Sequence, residues 1–463
     1  MFEKLFKLKE NNTNVRTEIF AGLTTFVTMA YIMFVNPSIL SATGMDWGAV
    51  FVATILAAAI GTFVMAFVAN VPYAQAPGMG LNALFTYTVC LGMGVPWQQA
   101  LGVVFICGVI NIVITVTKIR KSIIKAIPTS LQYAIGGGIG LFIAYIGFIN
   151  GHLLDFTPDS EANAIGAFSK IIPALVNFSD PVSLLALIGL VIIVVLMLLK
   201  VKGAILIGII LTTLIGIPMG VTVVPEITAA SFIPPSIAPT FFKLDIFGIF
   251  ADPSQLFKML TLILTFSLTD TFDTIGTFLG TGRQSGIFDD EDEKALMEGK
   301  GFSSRLDKAL FADATATSMG ALLGTSNTTT YVESAAGIAV GGKTGLTSLT
   351  VGILFILSLF LSPIAGMVPG AATAPALIVV GILMVSSLGK IKWDDFEEAL
   401  PAFFTVVAMP FAYSISTGVA LGFLFFCLAK IFSGKAKQVH PIMYIVTGIY
   451  VLKYILDAVS LLL

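Results

Sequence analysis

The 463 residues are 56% hydrophobic and 11% charged, with a mean hydropathy of +0.96 and a formal net charge of −2. A soluble domain carries about 25% charged residues and could not bury so much apolar surface in one core, so the composition excludes a soluble protein and points to an integral membrane one. No basic patch is large enough to form a phosphate footprint, which excludes a nucleic-acid partner. Cys90, Cys107 and Cys427 have no ligand spacing and indicate neither a disulfide framework nor a zinc site.

The chain starts with a basic, polar stretch, Met1 to Val15, that leads into an apolar run without a cleavage pattern. It predicts a retained first span, with residues 1–16 as a cytoplasmic N-terminus. Apolar runs of about 17 to 25 residues predict helices near 17–40, 48–70, 98–117, 130–150, 182–199, 203–223, 256–280 and 346–367. Shorter runs near 76–92, 309–324, 327–342, 373–388, 399–414 and 416–432 complete a count of about 14. Residues 438–463, apolar from Pro441, remain as an extra C-terminal hydrophobic helix.

Loop charges test this threading, because Lys and Arg gather on the cytoplasmic side of short loops. Lys4, Lys7, Lys9 and Arg16 precede the first span, Lys118, Arg120, Lys121 and Lys125 follow the fourth, and Lys200 and Lys202 follow the sixth. Arg283, Lys294, Lys300, Arg305, Lys308, Lys343, Lys390 and Lys392 join them on one side. Lys430, Lys435 and Lys437 do so if 399–432 is two short helices. The acidic, lysine-poor loops 151–181 and 224–255 then face outward, and Trp47, Trp97 and Trp393 fall at predicted interfaces.

A faint repeat follows. The run Lys202 to Gly208 opens the seventh helix as Gly418 to Gly422 opens the fourteenth, and the short segment 76–92 has its partner at 327–342. Seven is odd, so two such copies in series have opposite membrane orientation. The predicted fold is an all-α integral membrane protein of about 14 transmembrane segments in two inverted seven-helix repeats, with short strands and half-helices in segments 3 and 10.

Inverted halves bring two short, Gly- or Pro-interrupted segments together at the midplane, and these are the pointer to a binding site. Here they are Gln75 to Asn82 and Gly324 to Gly337. The β-branched run Thr328 to Thr330 suggests a short strand entering a half-helix, whose freed amides, with Thr330 among them, can face a ligand. Asp270 and Asp273 lie one helical turn apart near the end of an apolar run, and Glu333 follows in the second broken segment. Ionisable groups at such depth mark substrate or ion paths.

Plainer readings compete. Asp270 and Asp273 can line the cytoplasmic mouth and pair with loop lysines, and Asn82 can satisfy backbone groups at a broken helix. Gly80 permits close backbone approach. Asp313 stands at a predicted helix start and reads as an N-terminal acid; His152 and His440 fall in loops or boundaries and are not proton carriers. The run Gly337 to Thr344 fits a phosphate-loop pattern but lacks the soluble α/β context, so Lys343 reads as a positive-inside anchor. The acidic run Asp289 to Glu293 reads as a solvated loop, and Gly136 to Gly140 as a close-packing stripe.

The runs Thr17 to Phe26, Pro77 to Asn82, Asp270 to Thr277 and Thr325 to Ser334 resemble those of the AzgA-like purine permeases, a branch of the nucleobase/ascorbate transporter superfamily, and the likeness extends over essentially the whole chain. It implies a core domain of 17–117 (segments 1–4) and 256–367 (segments 8–11), and a gate domain of 130–223 (segments 5–7) and 373–432 (segments 12–14). It implies proton-coupled import of a purine nucleobase across the plasma membrane, with no cofactor beyond the proton gradient and a homodimer left open. By motif position, Asn82 and Gly80 resemble site residues of the third helix, Asp270 and Asp273 the eighth-helix acidic pair, and Glu333 the acid of the tenth segment.

The chemistry of that substrate agrees. Guanine presents N1–H and an exocyclic amine as adjacent donors, which an ionised carboxylate accepts together, whereas adenine offers an acceptor at N1. Glu333 therefore favours guanine or hypoxanthine over adenine, and a broader nucleobase range stays open. Burial disfavours the charged form of a carboxyl, so Asp270 or Asp273 can take up a proton outside and release it inside. Glu333 is assigned to the base and Asp270 to the proton. An anion transporter or channel of the same architecture is the alternative class, disfavoured by the acidic cluster. A membrane enzyme lacks a His or Cys constellation.

Overall fold

The computed structural model describes residues 2–117, 126–158, 171–176, 178–225, 228–251, 255–285, 287–288 and 304–460. Lys118, Arg120, Lys121, Lys125, Lys294, Lys300 and the acidic run 289–293 lie outside these residues. Among the described residues, eight helical stretches are long and apolar enough to cross a bilayer, and three shorter apolar helices accompany them.

A short helix α1 (Phe2–Phe6) precedes α2 (Val15–Met29), whose start is fixed by Asn14 accepting from the Thr17 amide at 3.0 Å. The chain continues as α3 (Ile32–Leu40), turns at Gly44 with φ +88°, and re-enters as α4 (Trp47–Val64), capped by Asp46. A π turn, Met65–Ala69, ends this span at Asn70 in the left-handed region. Then β1 (Gln75–Pro77) leads into α5 (Met79–Ala83), which widens into a π stretch, Leu84–Gly92, before α6 (Trp97–Val116).

After α7 (Thr129–Asn150), the loop forms an antiparallel pair, β2 (Leu154–Pro158) and β3 (Ile171–Leu175), that its composition did not signal. Next come α8 (Pro181–Leu198) and α9 (Ala204–Gly216), the latter shorter than the predicted 203–223 because the chain turns at Gly216 to Gly220. The second half begins with α10 (Leu256–Ser285) and α11 (Arg305–Leu323). It breaks at β4 (Thr328–Thr330) and the half-helix α12 (Ser334–Ala339). It then runs through α13 (Gly345–Ser358), α14 (Gly370–Val385), α15 (Phe396–Phe411) and α16 (Ile415–Phe432) to α17 (Pro441–Ser460).

The predicted pair of short helices within 399–432 is thus present, as α15 and α16. The C-terminal stretch is a helix packed on α16 and α10, with the Tyr450 and Thr265 hydroxyls 2.6 Å apart.

Apolar burial between helices gains little in lipid, so close approach depends on small residues. A Cβ on Gly108 of α6 would stand 2.7 Å from the Ser318 backbone nitrogen of α11, and one on Gly61 of α4 would stand 2.6 Å from Ala316 of α11. A Cβ on Gly381 of α14 would stand 2.5 Å from the Gly140 carbonyl of α7. Helices α4, α6 and α11 form one packed group, with α13 on α2 and α4; α7, α14 and α15 form another, with α8 and α9 beside α14.

The two broken segments meet as predicted. Strands β1 and β4 pair antiparallel, Gln75 with Thr330, Ala76 with Thr329 and Pro77 with Thr328. The Gly78 amide extends the ladder to the Asn327 carbonyl at 2.9 Å, and the Tyr331 amide to that of Ala74 at 3.0 Å. These strands satisfy each other's backbone groups, which lipid could not do.

Candidate substrate site

Four carboxyl groups gather around β4. Glu333 is half-buried at the entrance to α12, where the Tyr31 hydroxyl of the α2–α3 break donates to its Oε1 at 2.6 Å. Asp273 of α10 is exposed and lies within electrostatic reach of both Glu333 and Asp270. Asp270, one turn earlier, is fully buried. One of its oxygens accepts from Asn111 Nδ2 at 2.9 Å and from the Thr317 hydroxyl at 3.4 Å. The other, Oδ1, has no protein partner.

Asp313 is the fourth, and its place corrects the sequence reading. It lies well inside α11, whose start is instead closed by a reciprocal Ser304–Asp307 capping box. Buried, it accepts from the Thr330 amide and hydroxyl, both at 2.7 Å, from Thr274 at 2.9 Å and from Thr329 at 3.4 Å. Asp313 is thereby the anchor of β4. Thr330, expected to offer its amide to a ligand, has both amide and hydroxyl turned to Asp313 instead.

Gln75 completes this framework from β1. With its carboxamide in the orientation that satisfies both ends, it donates to the Gly61 carbonyl at 2.8 Å and accepts from the Asp313 amide at 3.1 Å. Asn82 of α5 accepts from the Ser326 hydroxyl, and its Nδ2 is buried without a protein partner. Asn327 reaches Cys107 of α6 at 3.5 Å and leaves its own Oδ1 unpartnered. Gly80 faces Ile139 of α7; a Cβ there would stand 2.5 Å from the Ile139 side chain, so it marks a close helix contact.

A cavity of about 10 Å³ between α6, α10 and α11 is lined by Asn111, Thr115, Thr271, Thr274 and Asp313. That is room for a single water, not a base. The Asp273–Glu333 side is the exposed part of the carboxyl cluster, while Asp270 and Asp313 are buried behind it.

Of the predicted residues, Asp270, Asp273, Glu333, Asn82 and Thr330 converge on the β1–β4 pair, and Gly80 lies at its edge. Tyr31, Gln75, Asn111 and Asp313 were missed. The depth criterion that singled out Asp270 also applies to Asp313, and a helix start placed at 309 obscured it. The phosphate-loop pattern is refuted by packing: a Cβ on Gly337 would stand 2.6 Å from the Ala21 carbonyl, so α2 fills the space a phosphate would need.

A multi-pass bundle in which two broken segments pair back to back over buried carboxyl groups is a membrane transporter, with helix ends and acids placed for binding at mid-depth. Comparison with known proteins makes this specific. The chain belongs to the permease family Xan_ur_permease, whose pattern it matches over residues 16–421. It is 42% identical to the guanine/hypoxanthine permease PbuG of Bacillus subtilis, over 97% of this chain and 98% of that one. It is 40% identical to the adenine permease AdeP of Escherichia coli, over 98% and 96% respectively. The transmembrane domain of the cyanobacterial bicarbonate transporter BicA superposes with a TM-score of 0.60 at 17% identity, covering 90% of this chain and 97% of that one. The resemblance to AzgA-like purine permeases and the inverted-repeat fold are thereby confirmed.

Proposed function

We propose that this chain imports guanine or hypoxanthine across the plasma membrane in symport with protons, its N-terminus in the cytoplasm. Glu333 carries the reading. Tyr31 takes one lone pair of Oε1 of this partly exposed carboxylate, which leaves acceptor capacity on both oxygens for a purine N1–H and its neighbouring donor. Asp270 is the proton carrier: it is fully buried, has one oxygen without a protein partner, and sits within electrostatic reach of Asp273, through which a proton can pass from the exposed side. Segments 1–4 and 8–11 form the core domain that holds the base, and segments 5–7 and 12–14 the gate domain against which it moves.

Adenine is the second reading, favoured by the likeness to AdeP. A Glu333 that protonates with the substrate bound would donate to adenine N1 rather than accept.

Proteoliposomes with an imposed inward proton gradient and radiolabelled guanine, hypoxanthine, adenine and uracil separate these readings. Guanine or hypoxanthine uptake that a protonophore abolishes is the expected result, with adenine competing weakly. Asp270→Asn should still bind base yet lose accumulation. Gradient-driven uptake in that variant at the native rate would remove Asp270 from the coupling role.

A further inference from the structure

We propose that Glu18 is a positioning residue for the Glu333 carboxylate, acting along α2 through the half-helix α12. Glu18 stands in the first turn of α2, has no solvent exposure, and is far along the helix from Tyr31. Its carboxylate accepts from the backbone amides of Lys343 at 3.0 Å, Thr344 at 3.2 Å and Thr347 at 3.3 Å, and from the Thr347 hydroxyl at 2.7 Å. Residues 343–347 are the link by which α12 turns into α13, so this one acid gathers the orphan amides at the start of α13 and holds the base of α12.

The other end of α12 is held by the same helix pair. Tyr31, just beyond α2, donates to Glu333, the residue at which α12 begins. Between these two clasps there is no lateral freedom. A Cβ on Gly337 would stand 2.6 Å from the Ala21 carbonyl, one on Gly342 would stand 2.9 Å from the Ala21 side chain, and one on Gly341, at φ +106°, would stand 2.8 Å from the Thr17 side chain. Helix α12 therefore rests on α2 as on a rail, and its remaining freedom is to slide or rotate along it. Glu18 removes that freedom at one end so that Tyr31 meets Glu333 at the other. A binding group has to be held to within about half an ångström, which is what such supporting contacts accomplish.

This inference rests on Glu333 being the base-binding residue, and the test separates the two. Glu18→Gln keeps the size but replaces one acceptor oxygen with a donor facing backbone N–H groups. Glu18→Asp keeps the charge on a shorter arm, and Thr347→Val removes one donor with little change in volume. Hydrogen–deuterium exchange on the substrate-free protein should quicken across 334–347 in Glu18→Gln and stay native elsewhere. In proteoliposomes the purine KM of that variant should rise about tenfold while kcat changes less than about threefold, as for lost orientation. Glu18→Asp should restore part of the KM, and Thr347→Val should show a smaller rise of the same kind, which decides the matter even if Glu18→Gln does not fold. Native exchange and native KM in the folded variants would overturn the positioning role. Full uptake by Glu333→Gln would overturn the reading of the site instead, leaving any exchange effect of Glu18→Gln as packing.

Discussion

At Glu333 a single hydroxyl decides the direction in which a carboxylate faces. The Tyr31 contact of 2.6 Å is a charge-assisted hydrogen bond when Glu333 is ionised. Bonds of that kind are worth about 1.5–3 kcal/mol. Tyr31→Phe keeps the buried ring, so the fold should persist; uptake kinetics should show a purine KM raised by about tenfold, the equivalent of 1.4 kcal/mol. A native KM would detach Tyr31 from binding. Asp313 is different, since it accepts from four donors, three of them on β4 and the fourth, Thr274, on α10. Asp313→Asn turns an amide toward at least one of them, and an unsatisfied buried group costs about 1–3 kcal/mol. Its thermal midpoint in detergent should fall, with purine binding lost alongside. Residue identities near the site were legible where charge met depth, as at Asp270, Asp273 and Glu333. They were not legible at Tyr31, Gln75 or Glu18, because a tyrosine, a glutamine or an acid in a first turn is ordinary until packing shows what it touches.

Among the elements, α12 and the strands before it depend on glycines that let helix backbones touch. Gly337→Ala would place its Cβ 2.6 Å from the Ala21 carbonyl, a backbone atom that cannot swing aside. Overpacking of this kind costs about 1–3 kcal/mol. The variant should lose uptake more than stability, because the displaced element carries Glu333; equal uptake at equal expression would contradict this. A second element-level clasp lies on the proposed cytoplasmic side, where Glu397, ahead of the predicted span 399–414, meets Lys430 at 2.7 Å and Lys435 at 2.5 Å. These lysines hold the Glu397 carboxyl down at about 2, against an ordinary value of 4.5. The folded value is the lower one, so the pair stabilises the fold above the ordinary Glu range and the contribution fades as pH falls from 4.5 toward 2. Thermal midpoints of Glu397→Gln and the native protein should differ at pH 7 and converge in that acidic window. Spans and broken segments were legible at this scale, since apolar length and interrupting Gly and Pro define them. The π stretches at 65–69 and 84–92 were not, because a one-residue widening leaves no mark on hydrophobic periodicity.

For the whole molecule, an odd number of segments per repeat made the inverted architecture readable, yet how the halves close on each other depends on residues remote in sequence. At the end of α7 opposite its basic flank, Tyr413, in the turn between α15 and α16 at φ +50°, packs edge-to-face on Tyr87, Phe142 and Tyr145 with centroids 6.0, 5.5 and 6.2 Å apart. Asn150 of α7 donates to the Tyr87 hydroxyl at 2.8 Å. Under the proposed division Tyr87 belongs to the core and Tyr413, Phe142, Tyr145 and Asn150 to the gate, so the contacts of Tyr87 with Tyr413 and Asn150 form a seam that must part when the site turns to the outside. Each such pair contributes about 0.5–1.5 kcal/mol beyond its buried area. Tyr413→Ala removes the one of these ring pairs that crosses the division, Tyr87–Tyr413, enough to move the closed-to-open ratio by about two- to tenfold. Spin-label distances between the loop after the π stretch and the loop after α7 should then lengthen in a larger share of molecules. Concentrative uptake should fall while base exchange across the membrane persists. An unchanged distance distribution would place the seam within one rigid body and move the line between core and gate elsewhere.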